Sequence, residues 1–308
     1  MSRGDVDDPV IVLAPEQSCG SLMCAALGQH PQMYGLLETH LFTRNEMFEW
    51  MSDFRGVNAH GLVRSVAEII FGRQSEGAVR RARHWLFARA NRSTLDVFSE
   101  LAANLYPLLL VEGSPTLISR SEHMCRLRRL FPESRYIHLV LHPELYGRLL
   151  VHYFRQSLRK APGRTYHAIW DPESIFFELV DNDAGPAGLN PYRTWHRRHS
   201  AIRKFLSTIP NERQRLVRIE DLLSDPRRHL SAIVSWLGLR NDDCGVGKMT
   251  HPEQSPFARP GPPSARFGAD PNFLRGPCWQ LPASSNGQNP CYCPFAGEVE
   301  ELARHLGY

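Results

Sequence analysis

The chain predicts an α/β fold, a central parallel sheet flanked by helices in a single domain, and three observations carry this. Residues 9–14 (Pro-Val-Ile-Val-Leu-Ala) are a short apolar run that reads as a buried strand, followed by a small-residue turn and an apolar helix at 21–29. Further apolar strands at 108–112, 135–141 and 214–219 alternate with helical segments, the signature of βαβ units. Finally, 308 residues with 42% hydrophobic and 22% charged side chains suffice for one substantial core. The strand–turn–helix opening is P-loop-like, because unpaired N–H groups and the helix dipole converge at a helix N-terminus. The turn keeps hydroxyls at Ser18 and Ser21, yet carries Glu16 and Gln17 where an anion site favours Lys or Arg. It is not a Walker loop, since Gly-x4-Gly-Lys-Ser/Thr is absent.

The elements follow in order. After the first unit and a loop through Phe42, residues 44–104 read as helical. Apolar positions recur there at near-helical spacing in Val63, Val66, Ile69 and Ile70, and again in Trp85, Leu86, Leu95, Phe98 and Leu101. Ser93 or Thr94 caps a helix start. Strand 108–112 leads into helix 118–130, and strand 135–141 into helix 144–158 beyond Pro143. Residues 160–192, richer in Pro, Gly and Asp, predict a substrate-facing insertion. A helix at 195–209 carries Arg197, Arg198 and Arg203; strand 214–219 and helix 226–237 form the last regular unit. Residues 240–297 are a long irregular segment of the kind that is functional or disordered, and 298–306 close as a helix.

Composition excludes several function classes. A net charge of +4 without a dominant basic run argues against nucleic acid as partner. Nowhere do about 18 apolar residues run together, so no membrane span is expected. The opening Met-Ser-Arg-Gly-Asp-Val-Asp-Asp lacks the features of a signal peptide, and seven cysteines without framework spacing suit a reducing compartment; both predict a cytoplasmic protein. Cys278, Cys291 and Cys293 cluster, but without a Cys-x2-Cys pair they read as ordinary thiols, and no metal site is expected.

Several segments, in shared order, resemble the bacterial sulfotransferases over nearly the whole chain. They are the 15–21 turn, Gly28-Gln29-His30-Pro31, Leu37-Glu38-Thr39-His40-Leu41-Phe42, Leu110-Val111-Glu112-Gly113-Ser114-Pro115 and Phe131 to Pro143. Val217 to Pro226, Trp236-Leu237-Gly238-Leu239, His251 to Phe257 and Leu302 to Tyr308 continue the match. The resemblance implies a sulfotransferase fold and the donor 3′-phosphoadenosine 5′-phosphosulfate (PAPS). It implies a 5′-phosphosulfate loop at Ser18, Cys19, Gly20 and Ser21, with Gln17 where the family has its basic residue and Cys19 where it has glycine. A second family element, Glu/Asp-Lys-Ser/Thr-Pro, reads Glu112-Gly113-Ser114-Pro115, so Gly113 stands for the lysine. The 3′-phosphate Arg and Ser of the family fall on Leu141 and Leu149. Each charge-assisted bond to phosphate contributes roughly 1.5–3 kcal/mol, so losing three weakens a polyanion by orders of magnitude. Arg120, Arg126, Arg148 and Arg266 are the arginines that could substitute from other positions.

Ligands of an open parallel sheet bind outside the carboxyl ends of its strands. That places the 15–20 turn, Glu112 to Pro115 and Leu141-His142-Pro143 around one crevice, with Glu38 and His40 at its mouth. The resemblance makes Glu38 the leading catalytic residue, by analogy with a base that deprotonates an acceptor hydroxyl, and His40 its partner or replacement. Glu112, at a strand end without the family lysine, reads either as an acid with a raised pKa or as a carboxylate orienting the 15–20 loop. Cys19 reads either as a thiol acidified by a helix N-terminus or as a small buried loop residue. Ser114, His142, Tyr146 and His251 are substrate-side candidates, and Tyr34, Phe42, Trp50, Trp85 and Tyr153 are aromatics of a pocket or of the core. Three functions follow. The first is an enzyme of specialised metabolism without PAPS, using acid–base chemistry or conformational control on a small molecule, such as cyclisation, isomerisation or elimination. The second is a PAPS-dependent sulfotransferase with relocated arginines, and the third a catalytically inactive binding protein.

Overall fold

The computed structural model describes residues 8–161, 163, 175–180, 188–279 and 297–308. Most of the expected 160–192 insertion therefore lies outside the described residues, as do 280–296 with Cys291 and Cys293. Five strands form one sheet: β1 (Val10–Leu13), β2 (Met33–Gly35), β3 (Leu109–Glu112), β4 (Arg135–Val140) and β5 (Gln214–Arg218). All pairings are parallel, in the order β2-β3-β1-β4-β5. Val10 lies opposite Val111 on one side and Arg135 on the other, so β1 is central.

Alternate residues of β1 enter two different cores, as the period of a strand requires. Val10 and Val12 pack with α1 (Gly20–Leu27), α7 (Pro143–Lys160), α8 (Ile175–Leu179), α10 (Ile219–Ser224), α11 (Pro226–Leu237), α12 (Asp243–Met249) and α14 (Glu298–His305). Ile11 and Leu13 pack with α2 (Met47–Asp53), α3 (His60–Phe71), α4 (Glu76–Phe87), α5 (Thr94–Leu105) and α6 (Ser121–Leu130). Helix α9 (Pro191–Leu206) serves both, with Trp195 in the first core and Ile202, Phe205 and Leu206 in the second. Burial on both faces is what makes parallel strands read as continuous apolar runs.

The expected strands and helices are present with small shifts at their ends, and the fold is the expected α/β sandwich. The 44–104 stretch resolves into four helices, and Ser93 caps α5 with a reciprocal bond from Asp96. Helix α9 starts at Pro191, four positions ahead of the expected Trp195, because Asn190 accepts from Arg193 N and caps it. The expected helix 118–130 begins only at Ser121, after a short 3-10 turn over Pro115–Ile118. Strand β2 and helices α10 and α12 were not expected, nor was α13 (Pro271–Arg275) inside the segment read as irregular. The last two owe their starts to Asp242 and Asp270, which accept from Gly245 N and Asn272 N, both at 2.7 Å. Among the described residues no helix is long and apolar enough to cross a membrane.

Candidate functional site

The strand carboxyl ends meet where the sequence placed the crevice. Three described residues other than glycine have positive φ, and all three stand there: Gln17 (64°), Cys19 (60°) and His40 (55°). A left-handed side-chain-bearing residue costs of order 1–3 kcal/mol and gathers at functional sites. The 15–19 turn is held by Ser18 N donating to Pro15 O and by Asn272 Nδ2 donating to Gln17 Oε1 at 3.0 Å. Gln17 thus binds the segment that folds over the turn.

Glu38 lines a narrow cleft with Ser21, Cys24, Leu37, Gly113, Phe257 and Phe273, closed down in this conformation to room for about one water molecule. Its Oε1 accepts from Ser21 Oγ at 2.9 Å, and the same Oγ accepts from Asp270 N at 3.0 Å. Glu38 N donates to Gly268 O, and a Cβ on Gly61 would stand 1.9 Å from Glu38 O. Only a glycine lets α3 come this close to the backbone of Glu38. Arg64 fastens the covering segment, donating to Arg259 O at 2.7 Å and Phe267 O at 3.0 Å. Burial, and after it the Asp270 charge, pushes the Glu38 carboxyl up to about 8; Glu16 and Glu112 add to the rise and the Ser21 bond opposes it.

Glu112, fully buried at the end of β3, bonds Ser114 N at 3.0 Å, Ser114 Oγ and Thr39 Oγ1 at 3.0 Å. Burial lifts it to about 7 against those bonds. Its bonds run to Thr39 and Ser114 and not to the 15–20 turn it was expected to orient as the alternative to an acid. Ser114 Oγ in turn accepts from His40 N at 2.9 Å, and His40 Nδ1 lies 2.9 Å from Thr116 Oγ1. The His40 ring stacks on Phe54, and burial pulls its pKa down to about 4, so it is a neutral imidazole at physiological pH.

The other family positions are accounted for by packing. A Cβ on Gly113 would stand 2.5 Å from Cys24 Sγ, so helix α1 seals the place of the family lysine. Leu141 and Leu149 are buried in the first core, and Trp195 Nε1 donates to Leu141 O at 2.8 Å. At Cys19, which is half-buried, desolvation and then the charges of Asp270 and Glu220 push the thiol up to about 12, opposite to the acidification a helix N-terminus would give. Gly20 and Ser21 open α1, while Ser18 Oγ is buried without a partner among the described residues.

The substrate-side residues divide. Ser114 belongs to the Glu112 cluster. His142 caps α7, accepting from Glu144 N, while its own N–H donates to Glu220 Oε1 at 2.8 Å. Tyr146 is fully buried, and His251 is exposed and pairs with Glu253 at 2.8 Å. Of the proposed substitute arginines, Arg126 donates to Thr94, Arg148 pairs with Glu144 at 3.6 Å, and Arg266 is exposed. Phe42 and Trp50 are core, and Trp85 lies under Arg89.

Two features escaped the sequence. Asp270 is 232 positions from Glu38, and only the fold brings its charge to bear there. Arg198 of α9 forms a buried ion pair with Glu178 at 2.7 Å beneath the 15–19 turn, and it acts on Glu16. Arg198 was visible in the sequence on a helix with Arg197 and Arg203, but not which carboxylate it meets. No group of three or more metal-ligating side chains occurs among the described residues.

Comparison with known proteins agrees with this architecture. The sulfotransferase domain from the curacin biosynthetic pathway superposes with a TM-score of 0.76 at 22% identity, covering 99% of each chain. The sulfotransferase domain of the Synechococcus PCC 7002 olefin synthase gives a TM-score of 0.70 at 20% identity, covering 100% of this chain and 97% of that one. No curated protein matches significantly. The model of the sulfotransferase family matches residues 9–243, and the chain accordingly belongs to the sulfotransferase family.

Proposed function

We propose that this chain is a sulfotransferase-fold enzyme of specialised metabolism that works on a small molecule by acid–base chemistry, without PAPS. One observation carries the reading: the carboxyls of Glu16, Glu38, Glu112 and Asp270 converge on the crevice, each with its pKa raised by burial. Groups so arranged disfavour added negative charge, and a nucleotide carrying two phosphate groups brings several. Gly113 sealed by Cys24, and Leu141 and Leu149 in the core, leave hydrocarbon where the family holds phosphate. The residues present do not fit the donor. The origin of the two similar structures, one a biosynthetic pathway and the other an olefin synthase, supports a biosynthetic setting.

Glu38 is the proton donor. At neutral pH a carboxyl with a pKa near 8 is mostly protonated, and it opens on the apolar cleft where a substrate oxygen or π-bond would lie. Glu112, with no exposed surface, touches no substrate; it orients Ser114 and, through it, the main chain of His40. Its lower pKa lets it ionise first, and that charge adds a small increment to the burial and the Asp270 charge that keep the proton on Glu38. The Asp270 main chain and Ser21 hold the Glu38 carboxyl in place.

Calorimetric titration with adenosine 3′,5′-bisphosphate tests the reading. The expected result is no binding at millimolar nucleotide. Micromolar binding that weakens with salt would mean a rebuilt cationic site and would return the chain to PAPS-dependent sulfuryl transfer.

A further inference from the structure

The sheet ends in β5, and its outer edge is open. Among the described strands β5 pairs with β4 alone. Parallel pairing uses alternate N–H and C=O groups of a strand, so the remainder of β5 face outward. No other main-chain group among the described residues bonds them. A cavity of about 320 Å³ lies here, and Arg215, Leu216, Val217 and Arg218 all line it. Successive side chains of a strand point to opposite faces, so a space touching four in succession follows the edge. Ile233 of α11 and Leu306, just beyond α14, wall it on the other side.

The chemistry of the occupant follows from the side chains and the main chain together. Arg218 is matched, since its Nε and Nη2 meet the two Asp221 oxygens at 2.7 and 2.8 Å. Arg215 has no hydrogen bond or ion pair among the described residues, and burial lowers its pKa with no carboxylate opposing the fall. Asp221 is the one carboxylate lining the cavity, so two guanidiniums leave one net positive charge even before His229 or His305 takes up a proton. Leu216, 44% exposed, adds an apolar contact. A second copy of this chain paired edge to edge would set the β5 arginines against one another, and like charges opposed across strands destabilise. A small anion would satisfy Arg215 and leave the edge main chain unmatched. A strand that carries carboxylates meets both needs.

We propose that the outer edge of β5 is a docking site for an extended acidic segment of a partner polypeptide, which adds to the sheet as a further strand and sets a carboxylate on Arg215. The five residues of β5, at about 3.3 Å each, give the added strand a length of roughly 16 Å. Main-chain bonds hold the segment, and the arginines select its charge by repelling basic strands.

The test is fluorescence polarisation of a labelled peptide, Glu-Val-Glu-Val-Glu-Val with both ends capped, titrated with the full chain. Two controls accompany it: Lys-Val-Lys-Val-Lys-Val, and the acidic peptide methylated at every main-chain nitrogen, which cannot donate to a strand. The acidic peptide should bind saturably and about tenfold or more tightly than either control. Arg215→Glu should reverse the order of the two charged peptides, and its melting temperature should be unchanged because Arg215 bonds nothing. Equal affinity for the methylated peptide would mean that charge alone attracts, would give the cavity to a small oxyanion, and would overturn the proposal. No binding at millimolar peptide, no preference between the charged peptides, or an unaltered preference in Arg215→Glu would overturn it as well. So would dimerisation of the chain by itself, competed by the peptide in sedimentation, since a second copy would then occupy the edge.

Discussion

Glu38 has a cost that can be measured apart from any reaction. Its folded pKa of about 8 lies above the value of a free carboxyl, so the folded state binds its proton more tightly than the unfolded chain does. The stability tied to that proton is fully present below about pH 4.5 and is lost as pH rises toward 8. Glu38→Gln keeps an oxygen for Ser21 and removes the titration. Thermal melts from pH 5 to 8 should therefore fall less steeply in this variant, with a gain of a few kcal/mol at the upper end, while turnover of a substrate drops about 10²–10⁴-fold. An unchanged slope would mean that Glu38 ionises normally. At Gly113 the expectation is opposite in sign. Gly113→Ala forces a methyl against Cys24 Sγ and should destabilise by about 1–3 kcal/mol, and Cys24→Ala in the same chain should recover much of it. Denaturant titration of the two single variants and the double reads the coupling directly.

Among the elements, the 255–270 segment matters most, because it brings no strand to the fold yet covers the site. It is fastened by Arg64 of α3, whose guanidinium also bonds Gln74 at 2.6 Å, and by the fit of Gly268 against Gly61. Arg64→Met removes the three hydrogen bonds while keeping an unbranched apolar stem. The segment should loosen first, so limited proteolysis should cut within 255–270 in the variant at protease levels that leave the parent chain whole. Cutting spread evenly over the chain would instead show that Arg64 supports the global fold. Sequence reading reached the helices and strands that frame this segment, because their apolar periods are local properties. It missed α12 and α13, which flank this segment within the 240–297 stretch read as irregular, since five to seven residues carry too little period to see, and their aspartate caps resemble ordinary loop residues. It missed β2 for the same reason: Met33–Gly35 is a strand only because β3 runs beside it. The site was legible in part. Glu38, His40, Glu112 and Ser114 lie in segments that resemble the family and do come together, whereas Asp270 and the Arg198–Glu178 pair depend on long-range packing that no local pattern encodes.

For the whole molecule, the buried histidines set the acid limit. His40 is held near 4 and His138 near 3, both by burial, and His199, bonded to His138 at 2.9 Å, is lowered as well. Each must fold as a neutral ring, while the unfolded chain takes up a proton near 6.5. Their combined effect is stability present above about pH 6.5 and lost as pH falls toward 4. It opposes the carboxyl contribution, so a stability maximum near neutrality is expected. His138→Gln should reduce the loss between pH 6.5 and 4 in a urea titration series, and an unchanged acid limb would remove His138 from this account. The contact of Gly113 with Cys24 has a meaning over a longer time as well. A lysine at 113 would strike the sulfur first, so that change alone is disfavoured until residue 24 has become smaller. Regaining the family's cation there takes two substitutions in a set order, which makes the departure a ratchet that selection for sulfuryl transfer could not easily turn back.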